Sequence, residues 1–346
     1  MSEHLEENKA YRLPAEWEMQ EAVWFAWTTR QDLWKGHLET VQNRFVELYQ
    51  LCSRFQKVHI LCPEHAQLEL SQLLNHQESN YEITVHTYET DDVWIRDYGP
   101  IFLKDKNQGS LISSDWSFNA WGGKFDLFEK DNGVPEWLSR QLNIKRISYS
   151  QILEGGAIET NGEGVLCTTK NVLENANRNL GNESINWDEC LQNYLGVDCI
   201  LWFENGLYND DTDGHIDNVL RFTPNHKIIY SSESNPESPN FIPLRQIESQ
   251  LNTYSKGALK DYEYHAVPVP DPIYVEGAIA SASYVNYLVL NGAVIVPTFG
   301  QAKDEEALSI IQSCFPDREV TGFNCLEIIR EGGGLHCLSL NQPHSN

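Results

Sequence analysis

The feature of this sequence that most constrains its fold is a weak internal repeat. Four stretches share one order of parts, which is an acidic or glycine-rich opening, a short strand, a turn and a second strand. They are RDYGPIFLKDKNQGSLISSDW, EGGAIETNGEGVLCTT, DGHIDNVLRFTPNHKIIYSS and ASASYVNYLVLNGAVIVPTF. A region that can form a helix and then another strand follow each stretch. Such repetition indicates a fold assembled from similar supersecondary units.

The two ends of the chain supply a candidate fifth unit. The segment from AVWFAWTTR to VHILCPE lacks an opening of its own, and the C-terminal GGGLHCLSL could provide it. Five units that close into a ring would bring every opening to a common centre. No change in composition marks a domain boundary, so we expect residues 1–346 to form a single domain.

The alternation of strands and helices predicts the α/β class. Short β-rich runs predict strands over 58–64, 165–170, 199–204, 228–233, 263–269, 293–299 and 326–331. Apolar residues at helical spacing predict a helix near 38–56. The stretches between the predicted strands are expected to form helices near 185–195 and 303–314. The polar stretch 231–240 is expected to be a surface loop.

The net charge of the chain limits its partners. Fifty acidic residues stand against 25 basic ones, which gives a formal net charge of −25. Such a field repels nucleic acids and anionic lipids, so neither is expected as a partner. The charge serves either solubility or the steering of a cationic substrate, and charge alone does not choose between them.

Cysteine usage and the N-terminus indicate a cytoplasmic protein. The eight cysteines form no CxxC pair and no cluster with zinc-finger spacing. The acidic, polar start of the chain lacks the basic and apolar regions of a signal peptide, and the chain has no apolar run of 18 residues. We therefore expect free thiols in a reducing compartment, most of them core filler, and no membrane span.

Two motifs offer a nucleophile and an acid–base group. In GGGLHC (332–337), three glycines allow close backbone approach and present Cys337 just beyond a turn. The alternative is a tight turn that leads to an inert buried cysteine. In DDTDGHIDN (210–218), an extended backbone would place His215 and Asp217 on one face. The alternatives are an acidic surface turn and a calcium-type loop.

Two further motifs place acidic groups beside glycine-containing turns. In DDVWIRDYGP (91–100), Trp94 and Asp97 flank a predicted strand end. In LEGGAIET (153–160), Glu154 stands before two glycines. Read singly, the first is an ordinary strand with a core tryptophan and the second an exposed turn glutamate. The four motifs become informative only together.

Taken in order, the motifs resemble the agmatine deiminase and bacterial peptidyl-arginine deiminase family of guanidine-modifying enzymes. The resemblance covers nearly the whole chain, through LPAEWEMQEAVWFAW, VWIRDYGP, FNAWGGK, LEGGAIETNGEGVLCTT, ENANRN, DTDGHIDN and GGGLHC. It implies a pentein fold, which is a five-bladed α/β propeller with pseudo-fivefold repeats and an axial active site. That implication agrees with the internal repeat.

The resemblance also implies roles for individual residues. Cys337 matches the nucleophile of the family, His215 its catalytic histidine, and Asp217 and Asp97 the two aspartates that grip the guanidinium. Positions near the substrate are matched by Trp94, Glu154, Asp211 and Trp121. The chemistry expected of such a set is attack by the thiolate, a covalent thiouronium intermediate and hydrolysis, with neither a metal nor an organic cofactor.

The substrate expected is agmatine, with N-carbamoylputrescine and ammonia as products. Agmatine ends in an ammonium, which carboxylates and aromatic faces such as Asp211, Trp94 and Trp121 would receive. Arg96 and Lys124 are the basic residues nearby. One departure bears on this choice, because agmatine deiminases usually read GGGNIHC, and the shorter GGGLHC resembles the peptidyl-arginine deiminases.

Three alternatives therefore stay open. The first is a deiminase of peptidyl-arginine or of another guanidino compound. The second is a metal-dependent ureohydrolase, because DGHID fits an Asp-x-His-x-Asp ligand pattern. The third is a non-catalytic pentein that binds a guanidino compound. The partner expected is a small cationic guanidino substrate, agmatine, and a homo-oligomer is possible.

Overall fold

The computed structural model describes residues 10–74, 80–179 and 185–345. The first nine residues, on which much of the leader-peptide prediction rests, lie outside this part, and a single domain over 1–346 stays a prediction. In the part described, no helix has both the length and the apolar character needed to cross a membrane.

Short strands and helices alternate along the chain. In chain order, strands β1–β19 are Tyr11–Arg12, Gln20–Ala26, Lys57–Cys62, Ile83–Thr87, Ile101–Asp105, Leu111–Ser117, Lys145–Ile152, Ile158–Thr160, Val165–Thr169, Cys199–Phe203, Leu220–Thr223, Lys227–Ser232, Glu263–Pro268, Tyr274–Val275, Ala278–Ile279, Leu288–Val289, Ala293–Thr298, Glu319–Asn324 and Leu340–Pro343. Helices α1–α10 are Leu38–Cys52, Gln67–Leu74, Ile95–Tyr98, Ala120–Gly123, Glu129–Asn132, Val134–Leu142, Lys170–Leu173, Trp187–Leu195, Phe241–Tyr254 and Lys303–Cys314. Short 3-10 helices are Glu64–Ala66, Gly155–Ala157, Ile216–Asn218 and Ile328–Glu331.

Five sheets share one topology, an antiparallel strand pair followed by a parallel strand. The antiparallel pairs are β5–β6, β8–β9, β11–β12, β16–β17 and β19–β2, and the parallel additions are β7, β10, β13, β18 and β3. Strands β1 and β4 extend two of these sheets, and β14–β15 form a separate ribbon. The pairing of β19 with β2 confirms that the C-terminal segment completes the N-terminal unit.

The burial pattern explains why these segments form these elements. Strand β17 (AVIVPT) is buried almost throughout, as expected of a central strand covered on both faces. Helix α10 buries Ala307, Ile311 and Cys314, which recur at helical spacing on one face. Its first turn carries three acidic residues, which interact favourably with the helix N-terminus. The predicted bounds of α10 are confirmed.

The structure corrects several local predictions. Residues 326–331 are not a strand, because the chain forms the 3-10 helix Ile328–Glu331 there. Residues 95–98 form helix α3 instead of an extended run, and His215 precedes the 3-10 helix Ile216–Asn218 instead of lying in a strand. Helix α1 ends at Cys52, and the polar loop begins after Ser232, the last residue of β12. At the openings the chain bends sharply, so local i→i+3 turns replace strand pairing.

Candidate active site

The openings of the repeated units bring the predicted catalytic side chains together. Helix α3 supplies Asp97, the chain before Gly155–Ala157 supplies Glu154, the segment around Ile216–Asn218 supplies His215 and Asp217, and the turn before β19 supplies Cys337. All five side chains are buried. The predicted grouping of Cys337, His215, Asp97 and Asp217 is therefore present in the structure.

His215 lies between two carboxylates. Its Nε2 donates to Oε2 of Glu154 at 3.0 Å, and its Nδ1 lies 3.6 Å from Oδ1 of Asp97. Burial favours the neutral ring, but Asp97 and Glu154 outweigh it and raise the pKa of His215 to about 9. The ring is thus positively charged at neutral pH. Buried Nδ1 has no hydrogen-bond partner among the described residues, so it is free to meet a ligand.

Arg178 fixes the position of Glu154, and it was not predicted. Its Nε donates to Oε1 of Glu154 at 2.6 Å, and its Nη1 donates to the carbonyl of Trp121 at 2.9 Å and to Oδ2 of Asp213 at 2.5 Å. Burial opposes ionisation of Glu154, but bonds from His215 and Arg178 keep its pKa below the ordinary value. The signal in the sequence was the ENANRN motif, which had no assigned role.

Asp97 and Asp217 face the same space with different partners. Asp97 accepts from Trp121 Nε1 and from the Gly156 amide, both at 2.9 Å, and burial raises its pKa to about 6. Asp217 Oδ2 accepts from His336 Nδ1 at 2.7 Å. Burial opposes ionisation of Asp217, but His336 keeps its pKa below the ordinary value. Buried Oδ1 of Asp217 has no partner in the described part of the chain.

Gly156 allows the histidine and both aspartates to pack closely on the backbone. A Cβ atom at this position would lie 2.5 Å from Nδ1 of His215, 2.7 Å from Oδ1 of Asp97 and 3.1 Å from Oδ2 of Asp217. A side chain would therefore push these groups out of position. The glycine pair after Glu154 has a steric reason, which the sequence alone did not reveal.

Cys337 lies beside Asp217 and Asn286. Its Sγ accepts a hydrogen bond from Nδ2 of Asn286 at 3.1 Å and lies 3.6 Å from Oδ2 of Asp217. Burial, Asp217 and Asp97 raise the pKa of the Cys337 thiol well above its usual range. The thiol is therefore protonated until a positive charge arrives beside it.

Asn286 holds the turn that carries Cys337, and sequence reasoning missed it. Its Oδ1 accepts from the backbone amides of His336 at 3.0 Å and Cys337 at 3.3 Å. A Cβ at Gly334 would lie 2.4 Å from this oxygen, so only glycine allows the contact. Asn286 belongs to the opening of the fourth repeat, ASASYVN, and that position was the one available signal.

The other glycines of GGGLHC allow an aromatic ring to pack against the backbone. A Cβ at Gly333 would lie 2.2 Å from a ring carbon of Trp94, and Gly332 has a φ of +93°. The Trp94 ring therefore packs directly on the backbone beside Cys337. The Nε1 bond to Asp97 holds Trp121 at the same pocket.

A pocket connects this centre with the surface. It is lined by Trp94, Asp97, Trp121, Phe125, Asp211, Thr212, Asn218, Glu331, Gly332, Gly333 and Cys337. Asp211, Glu331 and Gly332 also line an adjoining outer cavity of about 450 Å³. Burial, with Asp92 nearby, raises the pKa of Glu331 to about 7, and burial with Asp210 also raises the pKa of Asp211. Glu331 was not predicted.

The two basic residues near the motifs are engaged by other groups. Arg96 Nη2 donates to Glu16 at 2.8 Å and to Asn341 at 2.6 Å, and its side chain lines a different cavity. Lys124 Nζ donates to Oδ1 of Asp213 at 2.7 Å and to the backbone carbonyl of Asp211 at 2.5 Å.

Comparison with known proteins agrees with this geometry. The sequence profile of the family described as Porphyromonas-type peptidyl-arginine deiminase matches residues 12–343. The chain belongs to this family. It is 33% identical to an agmatine deiminase of Pseudomonas aeruginosa (strain UCBPP-PA14), over 96% of this chain and 95% of that protein. Family membership confirms the resemblance found from the motifs.

Solved structures support the same conclusion about the family fold. The agmatine deiminase of Enterococcus faecalis superposes with a TM-score of 0.90 at 27% identity over 97% of each chain. An agmatine deiminase of C. jejuni with substrate bound gives a TM-score of 0.88 at 29% identity, also over 97% of each chain. At 14% identity, DDAH from Pseudomonas aeruginosa shares the fold alone, with a TM-score of 0.50 over 93% of this chain and 99% of that chain. The mixed α/β, pentein-type fold is confirmed.

Proposed function

We propose that this chain deiminates agmatine to N-carbamoylputrescine and ammonia, with Cys337 as nucleophile. One observation carries the choice of substrate, namely the distribution of charge along the pocket. Asp97 stands at the inner end, with Asp217 beside Cys337, and Asp211 and Glu331 at the outer end. Among the described residues that line the pocket there is no lysine or arginine. A molecule with a cation at each end matches this pattern.

The inner end suits a guanidinium. Carboxylates accept paired N–H bonds from this planar cation, and the carboxylates of Asp97 and Asp217 both lie close to Gly156. The unpartnered Oδ1 of Asp217 is the acceptor that such a cation would meet. Binding in this way would hold the guanidinium carbon near Sγ of Cys337, which favours attack.

The first half of the reaction forms a thiouronium. The positive charge of the substrate lowers the pKa of Cys337, the thiol proton passes to solvent water, and the thiolate adds to the guanidinium carbon. His215, which is charged at neutral pH, donates a proton to the departing nitrogen. The carbon–nitrogen bond breaks, ammonia leaves, and the amidino carbon stays bonded to Sγ.

The second half hydrolyses that intermediate. His215 is now neutral and accepts a proton from a water molecule, which attacks the same carbon. The carbon–sulfur bond breaks, the thiolate leaves, and the hydroxyl proton of the adduct passes to solvent as the ureido product forms. The thiolate regains a proton from solvent when the product has left. One histidine thus serves in turn as acid and base. The chemistry that we propose uses only side chains of this chain.

Peptidyl-arginine is the second candidate substrate. The description of the matching family and the short GGGLHC loop favour it. Free arginine would place its carboxylate near the carboxylates of Asp211 and Glu331, and no lysine or arginine is among the described residues that line this pocket. We expect the repulsion between these like charges to lower the specificity for arginine roughly a hundredfold.

The geometry does not favour the ureohydrolase alternative. An Asp-x-His-x-Asp metal site needs Asp213, His215 and Asp217 to converge on one ion. Instead, Asp213 accepts hydrogen bonds from Arg178 and Lys124. The binding-only alternative also has no supporting observation, since Cys337 and His215 are both in place.

The closure of the fold, the domain organisation, the location and the assembly of the protein belong to the same proposal. We infer that the five sheets close as a five-bladed propeller around the site, and that residues 1–346 form one catalytic domain. A cytoplasmic location follows from the free cysteines expected of a reducing compartment. Assembly into a homo-oligomer stays a prediction.

Ammonia release from three substrates tests the proposal. We expect kcat/KM for agmatine to exceed that for free arginine and for an arginyl peptide by about a hundredfold. Exhaustive chelation of metals should leave the rate unchanged. Equal or greater kcat/KM for arginine or the peptide would overturn the choice of substrate, and no release from any guanidino compound would overturn deimination itself.

A further inference from the structure

A chain of buried charges lies behind Asp217 and has no role in the steps above. His336, the residue before Cys337, donates from Nδ1 to Oδ2 of Asp217 at 2.7 Å. Its Nε2 lies 3.0 Å from Oε1 of Glu16. A carboxylate only accepts, so the hydrogen bond to Asp217 requires a proton on Nδ1 of His336.

Glu16 is itself held in place by two arginines. Arg96 Nη2 donates to it at 2.8 Å, and Arg221 Nη2 forms a second ion pair with it. Burial opposes ionisation of Glu16, but His336, Arg221 and Arg96 keep its pKa far below the ordinary value. Arg221 continues to Oε2 of Glu159 at 2.9 Å. Ion pairs and hydrogen bonds therefore form a buried line that ends at Asp217.

The two carboxylate oxygens of Asp217 differ in their hydrogen-bond partners. Oδ2 is engaged by His336, whereas buried Oδ1 has no partner in the described part of the chain. His336 and Glu16 border a separate cavity of about 100 Å³ that Cys337 does not line. The His336 ring therefore lies outside the lining of the substrate pocket, while Oδ2, which it contacts, also lies 3.6 Å from Sγ of Cys337.

We propose that His336 is a positioning residue, whose Nδ1 fixes the Asp217 carboxylate beside Cys337 through Oδ2 and leaves Oδ1 to accept from the guanidinium, with Glu16 fixing the opposite edge of the ring. The inference rests on the proposed function, because Asp217 is taken there as a guanidinium acceptor. His336 would not touch the substrate, and its effect would pass through Asp217.

Two substitutions test the contact of His336 with Asp217 separately from its contact with Glu16. Asparagine places an amide donor near the position of Nδ1, so His336→Asn keeps a donor for Asp217. Glutamine places its amide near Nε2, so His336→Gln keeps the contact with Glu16 and leaves Asp217 Oδ2 without its donor. Both variants replace the ring by a neutral amide and change the core by a similar volume, so each is the control for the other.

The readouts are kcat/KM for agmatine as a function of pH, thermal unfolding and the crystal structure of each variant. We expect His336→Asn to stay within about tenfold of the wild type and His336→Gln to fall about a hundredfold, mainly through KM. Without the donor the pKa of Asp217 rises, so the acid limb of kcat/KM should move to higher pH, and furthest in His336→Gln.

Equal losses in the two variants, or losses that follow their unfolding temperatures, would overturn the inference. If His336→Gln does not fold, a loss beyond a hundredfold in His336→Asn with Asp217 correctly oriented would overturn it, and a loss within tenfold would support it. If the wild type releases no ammonia from agmatine, the proposed function fails. The inference is then decided by whether Asp217 keeps its orientation in His336→Asn and rotates in His336→Gln.

Discussion

Trp121 donates a hydrogen bond from Nε1 to Oδ2 of Asp97 at 2.9 Å while its backbone stands in the left-handed region, with a φ of +54°. This region is uncommon for a residue with a large side chain, and it persists only where the surroundings enforce it. Arg178 supplies part of that enforcement, because its Nη1 donates to the carbonyl of Trp121. The strained backbone thus aims the indole at a proposed guanidinium acceptor.

Trp121→Phe should weaken substrate binding more than it slows chemistry. The variant keeps an aromatic ring but loses the bond that opposes the burial-driven rise in the pKa of Asp97. Asp97 would then be more protonated at neutral pH and would accept fewer N–H bonds. We expect KM for agmatine to rise about tenfold with a smaller change in kcat. An unchanged KM would show that the bond has no part in binding.

Gly156→Ala should abolish turnover. The added methyl group would lie 2.5 Å from Nδ1 of His215 and 2.7 Å from Oδ1 of Asp97, so it would displace the proposed acid and a proposed guanidinium acceptor. Gly257→Ala is the matched control, because the nearest atom to a Cβ there is 3.9 Å away. We expect a loss of at least about a thousandfold in kcat/KM for the first variant and none for the second. Near-normal turnover by Gly156→Ala would show that the positions of His215 and Asp97 are not critical for the reaction.

Much of the site was predictable because its groups lie in short local motifs. Cys337, His215, Asp97 and Asp217 each stand beside a glycine-containing turn, and the structure brings all four together. Trp94, Trp121 and Asp211 also line the pocket, and Glu154 contacts His215. These predictions needed only the order of the motifs and a fold that gathers them.

The supporting groups were not predictable, because their contacts are distant in sequence. Asn286 reaches Cys337 across 51 positions, and Arg178 reaches Glu154 across 24. The local conformation of α3 was also missed, since a four-residue helix leaves no periodic pattern. Long strands and α10 were recovered, because their apolar runs and spacing are long enough to indicate one structure.

Glu331→Gln should weaken agmatine binding in a pH-dependent way. The pKa of Glu331 is about 7, so in the wild type its carboxylate gains charge between pH 6 and pH 8 and attracts the distal ammonium more strongly. KM for agmatine should therefore fall over that interval in the wild type. In the variant KM should be about tenfold higher at pH 8, and the part of its pH dependence due to this carboxylate should be lost.

A distant charge change separates local binding from general steering. Glu305→Gln alters an exposed residue of α10 by the same unit of charge, and it should leave KM close to the wild-type value. If both variants raised KM equally, the net charge of the protein would account for the effect. Glu331 would then have no place at the distal end of the substrate.

The alkaline limit of activity should follow His215. The mechanism needs this ring charged at the start, and its pKa is about 9, so kcat should fall as pH rises through that value. Glu154 raises this pKa, and Glu154→Gln should therefore move the alkaline limb to lower pH. Steady-state rates from pH 6 to 10 measure the shift. A limb that stays in place or moves upward would contradict the assignment of His215 as the acid.

The most direct test of the central claim is the mass of the Cys337 peptide after turnover with agmatine is stopped by acid. Covalent catalysis predicts a mass gain on Cys337 equal to agmatine less ammonia, and no adduct on the other seven cysteines. The folded Cys337→Ala protein should form no adduct and release no ammonia. An unmodified Cys337 during turnover, together with ammonia release by Cys337→Ala at the wild-type rate, would contradict the account.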